Sequence, residues 1–126
     1  MPSEKRKIGD IGEDFAVNYL IRNKYQIIER NYWKPFGEID IIAKSPSDKG
    51  NSTVLVEVKT SIMGGSLMPQ ENMTMAKISK LKRIASFYVS KNNLLNKSYQ
   101  IDVILVNLYK NLTLANVEHL ENINLS

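Results

Sequence analysis

Two stretches of the chain place charged residues inside runs that otherwise have the composition of β-strands. Residues 36–43 contain Asp40, and residues 54–60 contain Glu57 and Lys59. Successive side chains of a strand point to opposite faces, so Glu57 and Lys59 are neighbours on one face. Asp40 lies close to both residues if the two stretches pair as a hairpin. The two stretches therefore predict a cluster of opposite charges on one sheet.

The charged cluster has the composition of a site for a hard divalent cation. Carboxylates about 4 Å apart repel by roughly 4 kcal/mol at an effective dielectric near 20, so Asp40 and Glu57 need a cation or a proton between them. Two carboxylates suit Mg²⁺ or Mn²⁺, with water and a substrate phosphate completing the octahedron. The Val58 carbonyl is a further candidate ligand. Lys59 would stand beside the metal, where an ammonium group offsets charge that develops on a phosphodiester.

A structural interpretation competes with this one. Glu57 and Lys59 alone would more often form an ordinary salt bridge than a catalytic site. The addition of Asp40, and of Glu13 at the rim of a predicted helix, reverses that preference. Glu38 is explained more simply as a solvent-facing residue near a turn.

Four other residues have side chains that could act in a site, but a structural role is the simpler expectation for each. His119 is the single histidine of the chain, and packing in the last strand is its expected role. Trp33, Tyr32 and Phe36 have side chains that can stack on nucleic-acid bases. Packing in the core or the turn is the more common outcome for such residues.

Hydrophobic spacing predicts the elements that position the cluster. An amphipathic helix is expected over about 4–23, in which Gly9 and Gly12 allow close approach to the strand end that carries Asp40. A second helix is expected to end near Asn92, with Thr74 as its cap. A mobile loop is expected at 61–69. Five strands are predicted, at 25–33, 36–43, 54–60, 99–109 and 112–120.

Short connections and breaker residues predict how the strands pair. The segment Lys34-Pro35-Phe36-Gly37 has the pattern of a type I turn, so the first three strands should form an antiparallel meander. The apolar strand 99–109 should be covered on both faces, and the strand–helix–strand order should place it parallel to strand 54–60. Strict alternation in strand 36–43 places two sets of residues on opposite faces: Ile39, Ile41 and Ala43 on one, and Glu38, Asp40 and Ile42 on the other.

Composition limits the class of protein. The 126 residues suit one domain, 1–126, and contain 43% hydrophobic and 24% charged residues, as folded soluble proteins do. Because the chain has no cysteine, it has no disulfide, no thiolate nucleophile and no zinc–thiolate site. The sequence contains neither a bilayer-length apolar run nor a signal-peptide core, so we expect a cytoplasmic protein without a membrane partner.

The charge balance favours an anionic partner. The formal net charge is +4 at pH 7, which attracts nucleic acid. In the second helix, Lys77, Lys80 and Arg83 lie away from the predicted buried stripe. These three side chains are therefore the predicted nucleic-acid contacts.

The motifs around the cluster resemble those of a known protein group. The Asp…Glu-x-Lys motif of the PD-(D/E)XK nuclease superfamily resembles two runs of this chain, Gly37-Glu38-Ile39-Asp40 and Val56-Glu57-Val58-Lys59-Thr60. The chain looks more closely like the YraN family of small bacterial proteins, because it also contains Gly9, Gly12-Glu13, Asn31 and Lys77. This resemblance covers nearly the whole chain.

The resemblance implies an α/β, restriction-endonuclease-like fold, with the order αβββαββ and a mixed central sheet flanked by helices, similar to archaeal Holliday-junction resolvases. It implies metal ligands at Asp40 and Glu57, a catalytic lysine at Lys59, and at Glu13 an acid that assists the metal or its water. DNA, in branched form for a resolvase, would be the substrate, and a resolvase-like activity would require a symmetric homodimer.

Two positions depart from the family pattern. Family members commonly carry arginine where this chain has Ser61, and Arg-Phe-Asp where it has Gln100-Ile101-Asp102. Loss of these arginines removes two candidate phosphate contacts and leaves the metal-binding residues intact.

Three functional hypotheses follow. The first is a Mg²⁺-dependent endonuclease-like protein that hydrolyses phosphodiester bonds in DNA, including branched DNA. The alternative is a nucleic-acid-binding module that does not cleave and acts in DNA processing or recombination. In the third, the charged cluster is a buried structural network, in which Asp40→Asn would destabilise the protein and divalent ions would not change its melting temperature.

Overall fold

A mixed β-sheet with one α-helix against each face organises the part of the chain that the computed structural model describes, residues 3–63, 75–94 and 97–123. The elements in chain order are α1 (Glu4–Arg22), β1 (Gln26–Lys34), β2 (Gly37–Lys44), β3 (Thr53–Ile62), α2 (Met75–Lys91), β4 (Tyr99–Leu108) and β5 (Leu114–Leu120). A short 3₁₀ helix between β2 and β3, Ser47–Lys49, was not predicted.

The sheet has the strand order β1-β2-β3-β4-β5. The β3–β4 pair is parallel, with Glu57 opposite Val103, and the other three pairs are antiparallel. The meander and the parallel crossover are therefore confirmed. The αβββαββ order and the mixed sheet also confirm the predicted α/β class and agree with a restriction-endonuclease-like fold.

Two hydrophobic clusters join the helices to the sheet. The cluster beneath α1 includes the buried residues Ala16, Leu20, Ile41, Val54, Val56 and Ile104. The cluster beneath α2 includes the buried residues Ile39, Ile42, Leu55, Ile84 and Val89. Residues 103–106 of β4 are buried on both faces of the sheet, as the apolar run predicted.

One prediction about β2 is wrong, because strict alternation fails beside Asp40. Ile39 packs beneath α2, whereas Ile41 and Ala43 pack beneath α1. Arg30 pairs with Ile41 and Tyr32 pairs with Ile39, so Asn31 stands opposite Asp40. Asn31 has φ +54°, in the left-handed region that regular strands do not use. This irregular backbone in β1 therefore lies opposite the point at which alternation fails in β2.

Other boundaries follow the predictions within two residues. The first helix begins after Ser3, whose hydroxyl oxygen accepts a hydrogen bond from the Arg6 N–H (3.1 Å). Strand β3 continues to Ile62, which corrects the predicted start of the loop, while residues 64–69 of that loop and the predicted cap Thr74 lie outside the described residues. Among the residues that are described, no helix is both long and apolar enough to cross a membrane.

Candidate active site

Two adjoining clefts lie at the end of the sheet where β2 and β3 separate. The larger, of about 650 Å³, lies beside the N-terminal half of α1. The smaller, of about 240 Å³, lies on the side of α2. Their walls share the side chains of Glu38, Lys59 and Lys77. These clefts contain the predicted site.

The structure brings the four predicted catalytic residues to this region. Glu13, Asp40 and Lys59 line the larger cleft, together with Val58. Glu57 and Lys59 line the smaller cleft. The Lys59 ammonium lies 3.1 Å from the Glu57 carboxylate, and both side chains are largely buried. The two residues are therefore neighbours on one face of β3, as the period of the strand requires.

Asp40 occupies the point where β2 and β3 stop pairing. The last pair of the ladder joins Ile41 to Val56. Beyond it, the Asp40 carboxylate Oδ2 accepts a hydrogen bond from the Val58 N–H at 2.8 Å. The N–H and C=O of one strand residue point to the same edge. The Val58 carbonyl is therefore directed into the same gap.

Burial and neighbouring carboxylates disfavour the charged form of Asp40. Burial and the neighbouring Glu57 carboxylate raise the pKa of Asp40 from 3.8 to about 8, against the lowering effect of the Val58 hydrogen bond. The Glu13 and Glu38 carboxylates raise this pKa further. Without a cation, Asp40 therefore favours its protonated form. A divalent cation would favour the charged form instead.

Glu13 is held by two residues that follow each other in β1. Arg30 Nε and Asn31 Nδ2 both donate to Glu13 Oε1, at 3.1 and 3.2 Å. Burial raises the pKa of Glu13, while the hydrogen bond and charge of Arg30 lower it. Among the described residues, no hydrogen bond engages Oε2, so this oxygen can accept a proton or orient a water in the cleft.

Arg30 is a site residue that the sequence analysis missed. Regular alternation would place Arg30 and Asn31 on opposite faces of β1. The left-handed backbone at Asn31 lets both side chains reach Glu13. Arg30 also donates from Nη2 to the Asp14 carboxylate at 2.7 Å. The sequence feature that could have identified Arg30 is the polar Arg30-Asn31 pair inside a predicted strand.

The first helix approaches β3 closely at one of its two predicted glycines. A Cβ on Gly12 would collide with the side chain of Thr60, whereas a Cβ on Gly9 would meet no atom within 4 Å. Close approach is therefore confirmed for Gly12, but to β3 and not to the predicted strand that carries Asp40. It does not explain Gly9, which lines the larger cleft.

Basic side chains surround the acidic centre. The predicted Lys77 lines both clefts and Lys80 lines the smaller one. Burial and the nearby Lys59 lower the pKa of Lys77. Lys5 and Arg6 of α1 line the larger cleft and were not predicted.

Three other positions from the sequence analysis do not contribute to this basic rim: Arg83, a predicted nucleic-acid contact, and Ser61 and Gln100, where a candidate phosphate contact is lost. The guanidinium of Arg83 lies 5.3 Å from the centre of the Phe36 ring, and neither cleft includes it. Ser61 is buried and donates to Asn107 Oδ1 at 2.6 Å. Gln100 donates to Asp102 Oδ1 at 2.9 Å. Ser61 and Gln100, the two positions that depart from the family pattern inferred from sequence, therefore make internal contacts.

A second group that could hold a metal ion lies elsewhere. One ligand atom from each of Asp102, His119 and Glu121 lies within 4.8 Å of the others. His119 Nε2 is already hydrogen bonded to the fully buried Asp102 carboxylate at 2.7 Å, and its Nδ1 to the Tyr19 hydroxyl at 3.0 Å. Because these hydrogen bonds satisfy the histidine and the acid, the geometry agrees with the expected structural role of His119.

Comparisons with known proteins identify the relatives of this chain. A sequence model of the uncharacterised protein family UPF0102 matches residues 12–106. A UPF0102 protein of Thermodesulfovibrio yellowstonii is 39% identical over 118 residues, covering 92% of this chain and 94% of the relative. One from Dictyoglomus turgidum is 38% identical over 93% of this chain and 96% of the relative. One from Clostridioides difficile is 42% identical over 79% and 84%. These names state no activity.

Proposed function

The chain belongs to the uncharacterised protein family UPF0102, the YraN family, and from the carboxylate cluster in its clefts we propose that it is a Mg²⁺-dependent endonuclease-like protein that hydrolyses phosphodiester bonds in DNA. One observation carries the proposal. The Asp40 carboxylate and the Val58 backbone meet where β2 and β3 separate, with Glu57 and Lys59 beside them. This arrangement combines hard oxygen ligands with a cation in a partly buried cleft.

The residues present fit a divalent cation. Asp40, Glu57 and the Val58 carbonyl would hold Mg²⁺ or Mn²⁺, since all three offer oxygen ligands. The raised pKa of Asp40 supports this assignment, because a carboxyl whose charged form is disfavoured by burial and by Glu57 can exchange its proton for a metal. When bound, the cation would polarise the scissile phosphate and acidify the attacking water.

Protein side chains would stabilise the transition state, orient the water and bind the DNA backbone. The Lys59 ammonium would neutralise charge that develops on the phosphate in the transition state. Glu13, held at Oε1, would use Oε2 to orient the water or accept its proton. Lys77 and Lys80 would bind neighbouring phosphates along the DNA backbone.

A cleavage assay tests this proposal. Purified protein is incubated with duplex, flap and four-way-junction DNA in the presence of Mg²⁺, Mn²⁺ or EDTA. We expect metal-dependent cleavage of at least one substrate, reduced by about 100-fold or more in Lys59→Ala. Lys44→Ala, which removes an exposed lysine at the far end of β2, is the matched control. Absence of cleavage, or cleavage that persists in Lys59→Ala, would contradict the proposal.

The basic rim favours a second candidate, a nucleic-acid-binding module that does not cleave. Lys5, Arg6, Lys77 and Lys80 would bind phosphates whether or not the acidic centre holds a metal. Binding would then weaken steeply with salt and stay the same in Asp40→Asn. Salt-sensitive binding without turnover on any substrate would favour this candidate over the endonuclease.

A further inference from the structure

The hairpin formed by β1 and β2 carries an exposed indole beside the clefts. Trp33 is 64% exposed. Its aromatic neighbours are packed, since Tyr32 makes an edge contact with Tyr88 at 5.0 Å and Phe36 makes one with Phe87 at 5.3 Å between ring centres. Of the three aromatic residues that could stack on bases, only Trp33 therefore presents most of its surface to solvent.

The register of the hairpin places this indole at the edge of the candidate site. Trp33 is directly opposite Glu38, and opposed residues of an antiparallel pair project to the same face about 5 Å apart. Glu38 lines both clefts. The indole is therefore a neighbour of the catalytic cleft on the opposite face of β1 from Tyr32.

The local charge restricts what can bind against the ring. The Glu38 carboxylate, opposite Trp33 in the register, repels phosphate, while Lys5, Arg6 and Lys77, which also line the larger cleft, attract it. The group against the ring must therefore be uncharged, while the molecule that carries it must be a polyanion. In DNA, that group is a base, and only an unpaired or splayed base exposes its face for stacking.

We propose that Trp33 stacks on an unpaired base next to the scissile phosphate, so that the substrate is DNA with single-stranded or splayed nucleotides. This inference rests on the proposed function and adds a substrate class to it. Base stacking selects the DNA structure without reading its sequence, because every base has an aromatic face.

Intrinsic fluorescence tests the inference directly, because Trp33 is the single tryptophan of the chain. The protein in EDTA is titrated with oligo(dT), with a splayed-arm duplex and with a blunt hairpin duplex. We expect the first two to change the indole emission and the blunt duplex to change it little. Trp33→Ala should raise Kd for oligo(dT) by roughly 5- to 150-fold, as expected for one lost stack.

Matched variants separate stacking from other effects. Trp33→Phe should retain most of the affinity, because it keeps a flat ring. Tyr99→Ala removes an exposed aromatic residue at the opposite end of the sheet and should bind as the wild type does. Trp33→Ala should leave the salt dependence of binding unchanged, whereas Lys80→Ala should lower its logarithmic slope by about 1.

Three results would overturn the inference. The first is equal Kd values for Trp33→Ala and the wild type on oligo(dT). The second is equal losses on the splayed and the blunt duplex. The third is an emission change that follows protein concentration without DNA, since the ring would then be covered by a second copy of the chain. If cleavage sensitive to Lys59→Ala persists in these cases, the proposed function stands and only the stacking role fails.

Discussion

Replacing Asp40 with asparagine should stabilise the metal-free protein at alkaline pH. The pKa of Asp40 is raised from 3.8 to about 8 by burial and by the Glu57 carboxylate. The folded state therefore binds a proton that the unfolded chain has released. The stability that depends on this proton is complete below about pH 4 and is lost as the pH rises through about 8. An asparagine cannot ionise, so the variant avoids this loss.

The magnitude follows from the pKa interval. Each pKa unit corresponds to about 1.36 kcal/mol, so the interval from 3.8 to about 8 sets an upper limit of about 6 kcal/mol above pH 8. Asp40 borders an open cleft, where water screens the repulsion, and we expect about 2–3 kcal/mol. For a chain of this size, that difference raises the melting temperature by roughly 6–12 °C.

Thermal unfolding followed by circular dichroism measures this effect. In EDTA, the advantage of Asp40→Asn should be small at pH 5 and several-fold larger at pH 9. Mg²⁺ should raise the melting temperature of the wild type at pH 9 and have little effect on the variant. Asp48→Asn, the same change at an exposed position, is the control and should show no pH-dependent difference.

A lower melting temperature for Asp40→Asn at pH 9 would refute the reasoning. That result would mean that the carboxylate stabilises a buried network, the third of the hypotheses above. An advantage of equal size at both pH values would also contradict it, because the effect would then not come from ionisation of Asp40.

Three further predictions concern the surroundings of the site. Gly12→Ala should destabilise the protein by about 1–3 kcal/mol, measured by urea unfolding, because the new methyl collides with Thr60. Arg30→Ala should raise the pKa of Glu13, so the acid limb of the pH–cleavage profile should move to higher pH. His119→Phe should lower the free energy of unfolding by about 1–3 kcal/mol, because a buried carboxylate loses a hydrogen-bond partner.

Each of these predictions has a conservative control. Gly9→Ala, which meets no neighbouring atom, should be neutral or stabilise α1 by up to about 1 kcal/mol. Arg30→Lys should shift the pH profile less than Arg30→Ala, because it keeps the charge. His119→Gln should recover part of the loss, because it keeps a donor. Equal unfolding midpoints for the two glycine variants, an unmoved pH profile, or unchanged stability of His119→Phe would contradict the respective prediction.

The sequence by itself determined the element order, the strand pairing and the neighbouring positions of Glu57 and Lys59. These features depend on local rules, namely hydrophobic period, turn residues and the connection lengths that allow antiparallel or parallel pairing. Predictions based on these rules stay correct when an element boundary is wrong by one or two residues. The same rules placed Asp40 on the strand next to Glu57, where the structure has it.

Only the tertiary structure decided how the site is held together. Strict alternation failed between Ile39 and Ile41, and Asn31, opposite Asp40 on β1, has a left-handed backbone at the same point. The same backbone geometry lets Arg30 and Asn31 both bind Glu13, across 17 and 18 residues of sequence. Such a departure depends on packing between α1 and the sheet, so no periodic pattern within one strand encodes it.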